Sequence, residues 1–469
     1  MTHAAVIGAY GSAGVAAASR LVEADVDVTM IDDGEPGGGL CILRGCMPSK
    51  EVLSAAAHRF QARHDDRLRG LPEVDLDRVV ARKDEHTSAF ASHRRAAVER
   101  LAAADNAEFV HDTARFVDDR EIAVDGRRIE PDYVVIATGS TPNYPDLPGM
   151  ADVDPLDSAA ILDATTVPDS LVVMGFGYVG IELVPYLVEA GGVDVTVIEH
   201  DARPLDEADP AFGDRLLDLY REQFGVEIVT HARETTVDVT DEGVAVTLEP
   251  TDDAPDPGTV PDRVTGDRLA TFTGRRPDLD RLNLSATDLV AAPGWVDATM
   301  RATDDDRVFV VGDANGREPI LHVAKEQGQV AAENVLRSER GEPLTEYHPI
   351  HHHVMFAGVG VYPFVRVGHS ERSAREAGLD YHAVTREADD DGVFETKDVP
   401  EGLATLVVGA DGTVLGYQGL HYHADVMAKT MQIAVELELS VDEIPDRAYH
   451  PTTPEIIDGL LRDAAAALD

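Results

Sequence analysis

The stretch Leu171-Val172-Val173-Met174-Gly175-Phe176-Gly177-Tyr178-Val179-Gly180 decides the fold class. Its four apolar residues predict a buried strand, and the Gly-x-Gly-x-x-Gly pattern predicts a tight turn into a helix. A second apolar strand, Val195 to Ile198, is predicted after that helix and ends at Glu199. In such units a pyrophosphate lies on the helix N-terminus, and the acidic residue accepts hydrogen bonds from a ribose. The segment therefore predicts a parallel α/β unit that binds a dinucleotide.

The acidic residue of this unit bears on the choice of nucleotide. A carboxylate at Glu199 would repel a 2′-phosphate, which favours NAD over NADP. Arg203 is close enough in sequence to pair with such a phosphate, so NADP stays possible.

A second unit of this kind begins the chain. Ala4 to Ile7 is a short apolar run, and Val28 to Ile31 is the next predicted strand, with Asp32 at its end. The glycines of the intervening turn are Gly8, Gly11 and Gly14. Their spacing is Gly-x-x-Gly-x-x-Gly, with Tyr10 at the position of the usual second glycine. The turn alone therefore fits either a second dinucleotide site or a tight strand-to-helix connection.

Three further predicted strands end in glycine turns. Their turns are Thr138-Gly139, Thr273-Gly274 and Gly312-Asp313. Asp313 is placed to bond a ribityl or pyrophosphate-linked group, or to cap its own loop. Strands alternating with helical segments predict an α/β fold.

The two cysteines of the chain stand in Gly37-Gly38-Gly39-Leu40-Cys41-Ile42-Leu43-Arg44-Gly45-Cys46-Met47-Pro48-Ser49-Lys50. A zinc site needs three or four ligands, and the chain has no third cysteine, so we predict no metal there. The histidines at His348 and at 351–353 predict none either, because adjacent side chains of an extended chain point different ways. Without a secretory signal, a structural disulfide framework is not expected. Two inert buried thiols or a redox-active pair are the remaining interpretations.

The composition excludes several partners. The chain of 469 residues has 87 Asp and Glu against 40 Lys and Arg, a formal net charge of -47. Nucleic acid and anionic membranes would repel such a surface. No apolar run approaches the ~18 residues of a spanning helix, and the N-terminus has no basic targeting stretch, so we expect a cytoplasmic protein. Only five basic residues are lysines, a pattern that resembles proteins of salt-loving organisms.

In combination these motifs resemble the pyridine nucleotide-disulfide oxidoreductases, the family that contains dihydrolipoamide dehydrogenase and glutathione reductase. The resemblance extends from Ala4 to Gly459. Besides the cysteines, its parts are the turn at Gly139, Gly274-Arg275-Arg276-Pro277, Gly312-Asp313, Leu321-His322-Val323-Ala324 and Tyr449-His450-Pro451-Thr452-Thr453-Pro454-Glu455. The departures from the family pattern are Tyr10, Gly39-Leu40 and Phe356-Ala357-Gly358. They put the substrate in question and leave the fold expectation intact.

The resemblance implies two Rossmann-like domains, for FAD and NAD, and a C-terminal α+β dimerisation domain. The implied order is an FAD domain over 1–148, an NAD(P) domain over 149–274, a return to the FAD domain over 275–343 and the dimerisation domain over 344–469. This order agrees with the roughly three domains expected from the length. It also implies a homodimer whose active site is shared between the two subunits.

The resemblance further implies the catalytic roles. Cys46 is the implied flavin-side thiolate, and Cys41 is the thiol that exchanges with the substrate. His450 of one subunit would serve the cysteines of the other as acid-base, oriented by Glu455.

The implied cofactor contacts complete this set. Lys50 is expected beside the flavin N5, with Glu182 as its ion-pair partner. The implied FAD contacts are Gly8, Gly11, Gly14, Asp32, Gly139, Asp313, His322 and Ala324. The implied NAD contacts are Gly175, Gly177, Tyr178, Gly180, Glu199 and Gly274. Tyr178 fits an aromatic gate over the nicotinamide pocket as well as ordinary packing.

The substrate is the open point. Cys46 is the last cysteine, so the extra C-terminal cysteine pair of mercuric reductases and large thioredoxin reductases is absent. The leading expectation is a dihydrolipoamide dehydrogenase. The alternative is a reductase of a small disulfide such as glutathione disulfide or bis-γ-glutamylcystine, since Arg44 either grips a substrate carboxylate or forms a surface ion pair. A non-catalytic flavin-binding protein is a third alternative, which the joint presence of both cysteines, His450 and Glu455 disfavours.

The acidic surface generates a first prediction. Because concentrated salt screens the self-repulsion of like charges, we expect the protein to lose structure as salt is removed. Circular dichroism and melting temperature measured across a salt series will check this. Full stability in dilute buffer would contradict it.

Overall fold

The chain alternates strands and helices over residues 2–468, which this computed structural model describes. The strands are β1 (His3–Ile7), β2 (Asp27–Ile31), β3 (Ala107–Val110), β4 (Arg115–Phe116), β5 (Ile122–Val124), β6 (Arg127–Ile129), β7 (Tyr133–Ile136), β8 (Ser140–Pro142), β9 (Ser170–Met174), β10 (Asp194–Ile198), β11 (Glu227–Val229), β12 (Ala232–Thr240), β13 (Gly243–Pro250), β14 (Arg263–Gly266), β15 (Arg268–Thr271), β16 (Arg275–Pro277), β17 (Val308–Val310), β18 (His352–Met355), β19 (Phe364–Gly368), β20 (Tyr381–Glu387), β21 (Gly402–Gly409) and β22 (Val414–His421). The helices are α1 (Ser12–Glu23), α2 (Leu40–Leu43), α3 (Cys46–His64), α4 (Leu76–Ala102), α5 (Ser158–Leu162), α6 (Tyr178–Gly191), α7 (Pro210–Phe224), α8 (Leu321–Glu339), α9 (Glu371–Glu376), α10 (Gly392–Thr396), α11 (Ala424–Glu436) and α12 (Glu455–Leu468). The fold is mixed α/β, as predicted.

The chain divides into two compact units. The first contains the N-terminal segment up to Pro48, Arg82–Asn143 and Arg275–Pro349. The second contains Ser49–Ala81, Tyr144–Gly274 and the chain from Ile350 onward. The finer division into FAD, NAD(P) and dimerisation domains stays a prediction.

A five-stranded parallel sheet organises the first unit. Its order is β17-β7-β1-β2-β3. The strand residues Tyr133–Ile136 and Val308–Val310 are all buried, since helices cover such a sheet on both faces and leave no place for alternating polar residues. The sequence predicts four of these five strands, all except β3, and β1 and β2 each begin one residue earlier than predicted.

The second unit combines a parallel and an antiparallel sheet. The parallel sheet has the order β11-β10-β9-β15, and the antiparallel sheet has the order β18-β19-β22-β21-β20. Helix α7 packs near β19 through Phe212 and Phe364, whose ring centroids lie 5.6 Å apart. Among the described residues, no helix is long and apolar enough to cross a membrane.

Gly328 permits close packing of α8 against α1 in the first unit. A Cβ atom at Gly328 would lie 2.3 Å from the carbonyl oxygen of Ala13, a distance that requires backbone movement. We therefore expect Gly328→Ala to lower the free energy of unfolding by about 2 kcal/mol. Gly392→Ala is the matched control, because its Cβ would meet nothing within 4 Å. Equal denaturation midpoints for the two variants would contradict this packing.

Candidate redox-active site

A cleft of about 260 Å³ lies at the carboxyl ends of the parallel strands of the first unit. Its lining includes Gly8, Gly11, Asp32, Cys41, Cys46, Gly139, Asp313 and Ala324. Gly14 and His322 do not line it. Gly14 packs against the backbone of the glycine turn, where a Cβ would lie 2.1 Å from Gly8 O. His322 lies in the first turn of α8. The structure thus brings both cysteines together with most of the residues expected to contact FAD.

Tyr10 is accommodated without filling the cleft. Its ring is buried against Phe109, with 5.1 Å between ring centroids, and it does not line the cleft. Its backbone N–H donates to Asp32 Oδ2 over 2.8 Å. The departure from the usual glycine is tolerated because the side chain packs on the other side of the turn.

Asp32 stabilises the first glycine turn by hydrogen bonds to its backbone. Besides the N–H of Tyr10, it accepts the N–H of Gly34 through Oδ1 over 2.8 Å. Burial raises the pKa of Asp32 above its ordinary value, and these two backbone bonds counteract the shift. The carboxylate that was expected to bind a ribose is therefore also a support of the turn.

Another part of the cleft lining, around Ser140 and Asp313, contains a network of hydrogen bonds. Asp313 Oδ2 accepts the hydroxyl of Ser140 over 2.6 Å, and Arg275 donates to Ser140 O over 2.6 Å. Thr138 Oγ1 is buried and, within the described residues, has no hydrogen-bond partner. A buried unsatisfied hydroxyl in a glycine-walled cleft fits a bound group that carries polar atoms. The residues present therefore fit a flavin dinucleotide.

The cysteines flank a tight link between two helices. Cys41 lies in α2 and Cys46 begins α3, and a Cβ at Gly45 would be only 3.2 Å from Cys41 Cα. The thiols are hydrogen-bonded to each other. This bond, together with burial, raises the pKa of Cys41.

Lys50 and Glu182 form the ion pair expected from the sequence. Lys50 Nζ lies 2.5 Å and 2.6 Å from the two carboxylate oxygens of Glu182. It also lies 4.4 Å from the ring centroid of Phe356, whose backbone N–H donates to Glu182 over 3.1 Å. A cation so fixed is suited to hold its charge beside a cofactor.

The second glycine turn repeats the construction of the first. Gly175 has φ +88, and a Cβ there would lie 2.7 Å from Phe272 O, so glycine is required. Glu199 accepts the N–H of Phe176 over 3.1 Å and that of Asp201 over 3.0 Å. Burial raises the pKa of Glu199, as it does for Asp32. Both turns are thus closed by an acidic residue at the end of the following strand.

The remaining predicted NAD residues surround this turn. Gly177 precedes α6, Gly180 lies in its first turn, and Gly274 follows β15 with φ +85. Tyr178 is 40% exposed, its hydroxyl donates to Glu207, and its ring centroid is 5.6 Å from that of His353. Its exposure and its hydroxyl bond distinguish it from an ordinary core aromatic.

His450 and Glu455 are paired near the C-terminus. His450 Nδ1 lies 3.1 Å from each carboxylate oxygen of Glu455, and the imidazole is 81% exposed. The N–H of Thr452 and the contact with His450 lower the pKa of Glu455, so it stays ionised. The pair can hold the imidazole with its outer nitrogen directed to solvent or to another molecule.

The histidine-rich segment forms a local contact. His351 Nε2 lies 2.7 Å from His353 Nδ1. Over residues 2–468, no group of three or more His, Cys, Asp or Glu side chains is arranged to hold a metal ion.

Sequence analysis missed Arg94. This residue of α4 donates from Nη1 to the carbonyl oxygen of Tyr10 over 3.0 Å, and Cys41 is close enough for their charges to interact. No sequence motif contains Arg94. Its hydrogen bond to the first glycine turn, 84 residues away, is seen only in the structure.

Comparison with models of protein families shows to which family this chain is related. Residues 2–328 match the model described as pyridine nucleotide-disulphide oxidoreductase, and residues 359–460 match the dimerisation domain of that family. The chain belongs to the pyridine nucleotide-disulphide oxidoreductase family. It is accordingly an enzyme, a flavoprotein disulfide oxidoreductase, and its family uses a flavin and a pyridine nucleotide.

Several members of the family are similar over nearly their whole length. The dihydrolipoyl dehydrogenase of Halobacterium salinarum is 28% identical over 97% of this chain and 94% of its own. The dihydrolipoyl dehydrogenase of Geobacillus stearothermophilus has the same identity and the same coverage. Among solved structures, the HOCl-induced flavoprotein disulfide reductase RclA from Escherichia coli gives a TM-score of 0.81 at 22% identity, covering 98% of this chain and 99% of that one. LpdA from Mycobacterium tuberculosis gives 0.81 at 22%, covering 99% of each chain. These two structures share the fold.

The Lys50–Glu182 pair yields a stability prediction. Glu182→Gln leaves a half-buried cation with a neutral partner, so the free energy of unfolding should fall by about 2 kcal/mol. Asp65→Asn removes the same charge from the Arg67 pair, whose arginine is 65% exposed, and should cost much less because solvent screens that pair. Denaturant unfolding at fixed salt compares the two. A cost for Glu182→Gln no greater than for Asp65→Asn would contradict the assignment.

Proposed function

We propose that this enzyme passes electrons between NAD(P)H, FAD and a substrate disulfide through Cys41 and Cys46. The observation that carries the proposal is the placement of both cysteines in one cleft with the first glycine turn, Asp32 and Asp313. A flavin dinucleotide bound in this cleft would supply two electrons to the Cys41–Cys46 disulfide. The second glycine turn, with Glu199 at its strand end, supports NAD as the nicotinamide nucleotide, and NADP stays an alternative.

The thiol chemistry follows from the order of the two cysteines. In disulfide reduction the Cys41 thiolate attacks one sulfur of the substrate, forming a mixed disulfide and releasing the first thiol. The Cys46 thiolate then attacks Cys41 Sγ, which closes the Cys41–Cys46 disulfide and releases the second thiol. Two protons and two electrons thus move to the substrate. Oxidation of a dithiol runs the same steps backwards.

Each released thiolate needs a proton donor. We assign this role to His450 of a partner subunit in a homodimer, with Glu455 holding its ring. The exposure of His450 and the match to a dimerisation domain support the assignment. In this arrangement Lys50, paired with Glu182, would lie beside the flavin N5.

The substrate we propose is a lipoyl group, which makes the enzyme a dihydrolipoamide dehydrogenase. The support is the name of relatives such as that of Haloferax volcanii, dihydrolipoyl dehydrogenase, 29% identical over 97% of this chain. A second candidate is a small disulfide such as glutathione disulfide or bis-γ-glutamylcystine, and the exposed Arg44 between the cysteines favours it. Residence in the cytoplasm of a salt-loving organism belongs to the same proposal.

A substrate panel with one variant tests this function. The purified flavoprotein, supplied with NADH or NADPH, is assayed with lipoamide, glutathione disulfide and bis-γ-glutamylcystine. Cys41→Ser should abolish turnover of the best disulfide, at least about a thousandfold, because the exchanging thiolate is gone. Flavin reduction by NADH should persist in the variant. Unimpaired disulfide turnover by Cys41→Ser would overturn the proposal.

A further inference from the structure

A second, larger groove lies beside the cysteine cleft in the first unit. Its volume is about 860 Å³, and helices α1 and α8 supply most of its walls. The charged residues that line it are Arg20, Glu23, Arg94, Lys325, Glu326 and Glu333. Ser12 lines both the groove and the cleft that contains Cys41, so the two spaces adjoin.

Two of the three carboxylates that line the groove, Glu326 and Glu333, have hydrogen-bond or ion-pair partners. Glu333 is bound by Arg20 over 2.8 Å and by Arg340 over 3.2 Å. Glu326 accepts the hydroxyl of Tyr347 over 2.7 Å. Among the described residues, neither of these two carboxylates pairs with Arg94.

Arg94 is the unusual cation of this groove. Within the described residues its guanidinium has no carboxylate partner, although Asp and Glu outnumber Lys and Arg by 87 to 40 in the chain. Burial lowers its pKa, and the charge of Cys41 opposes that shift. One N–H of this half-buried guanidinium is used by Tyr10 O, and its other N–H groups are available to an anion in the groove.

The position of Arg94 connects it with the exchanging cysteine. Arg94 holds Tyr10 O, and that oxygen is 3.2 Å from the Cβ position of Gly39, two residues before Cys41. One turn earlier in α4, the Cβ of Ala91 lies 3.4 Å from the point where a Cβ on Gly38 would stand. Ala91 and Arg94, on one face of α4, therefore lie beside Gly38 and Gly39, the residues shortly before Cys41.

We propose that Arg94 anchors a carboxylate of the disulfide substrate while a substrate sulfur faces Cys41. The site then prefers a short disulfide that carries a free carboxylate over the corresponding neutral amide. Guanidinium groups bind carboxylates by paired, charge-assisted hydrogen bonds, which gives this preference a physical basis. The inference rests on the proposed exchange role of Cys41, and within that function it favours the second candidate, a small disulfide with free carboxylates, over a lipoyl amide.

Alkylation of Cys41 by a matched pair of reagents tests the anchor directly. Iodoacetate and iodoacetamide react with the same thiolate and differ in carrying a carboxylate or an amide. The flavoprotein, reduced with dithiothreitol, is treated with each reagent, and modification of Cys41 and Cys46 is followed by mass spectrometry. The ratio of the two rates cancels changes in thiolate pKa, because both reagents depend on it equally.

We expect Arg94→Gln to lower the iodoacetate-to-iodoacetamide ratio at Cys41 about tenfold. Arg94→Lys should retain part of the ratio, since the charge stays. Arg100→Gln, the same charge change farther along α4, should leave it unchanged. A ratio unaffected by Arg94→Gln, or an equal fall in both rates, would overturn the inference, because a purely structural arginine predicts that result.

Steady-state kinetics supply the second readout. With NADH, Arg94→Gln should raise the KM for lipoate about tenfold and change that for lipoamide less than about twofold. An equal effect on both substrates would contradict the anchor. If the unmodified enzyme turns over neither, the lipoyl part of the proposed function fails, and the alkylation ratio still decides the role of Arg94.

Discussion

Close approach of backbone to backbone around the first glycine turn is the constraint on which the redox cleft depends. A Cβ at Gly8 would lie 2.2 Å from Ala137 O, and one at Gly14 would lie 2.1 Å from Gly8 O. The segment before Cys41 joins the same contact, since a Cβ at Gly39 would be 3.1 Å from Gly11 Cα. Strand, helix and cysteine segment can therefore meet around one cavity only where side chains are absent.

Each of the two units contains a few partly or fully buried charged groups with fixed partners. The chain has five lysines, and one of them, Lys50, is paired with Glu182 and packed over Phe356. Asp32 and Glu199 use their buried carboxylates to close the two glycine turns. Buried or partly buried charged groups with fixed partners, such as these, are typical of functional sites.

Sequence motifs predicted the fold and much of the site because both depend on local pattern. The apolar runs of β1 and β9, the turns after them and the Cys41–Cys46 spacing are short-range features, and the Lys50–Glu182 pair followed from the resemblance. Arg94 could not be predicted, because its meaning lies in a contact with Tyr10, 84 residues away. The accommodation of Tyr10 also required the structure, since spacing alone does not say on which side of a turn a ring packs.

Counting thiols tests the central claim, that the cysteine pair carries the electrons, most directly. The oxidised flavoprotein is alkylated in denaturant before and after anaerobic addition of NADH, and the adducts on Cys41 and Cys46 are counted. Because these are the only cysteines of the chain, the background is nil. The account predicts no adducts before NADH and two per chain after it. Flavin reduction without any new thiol would contradict it.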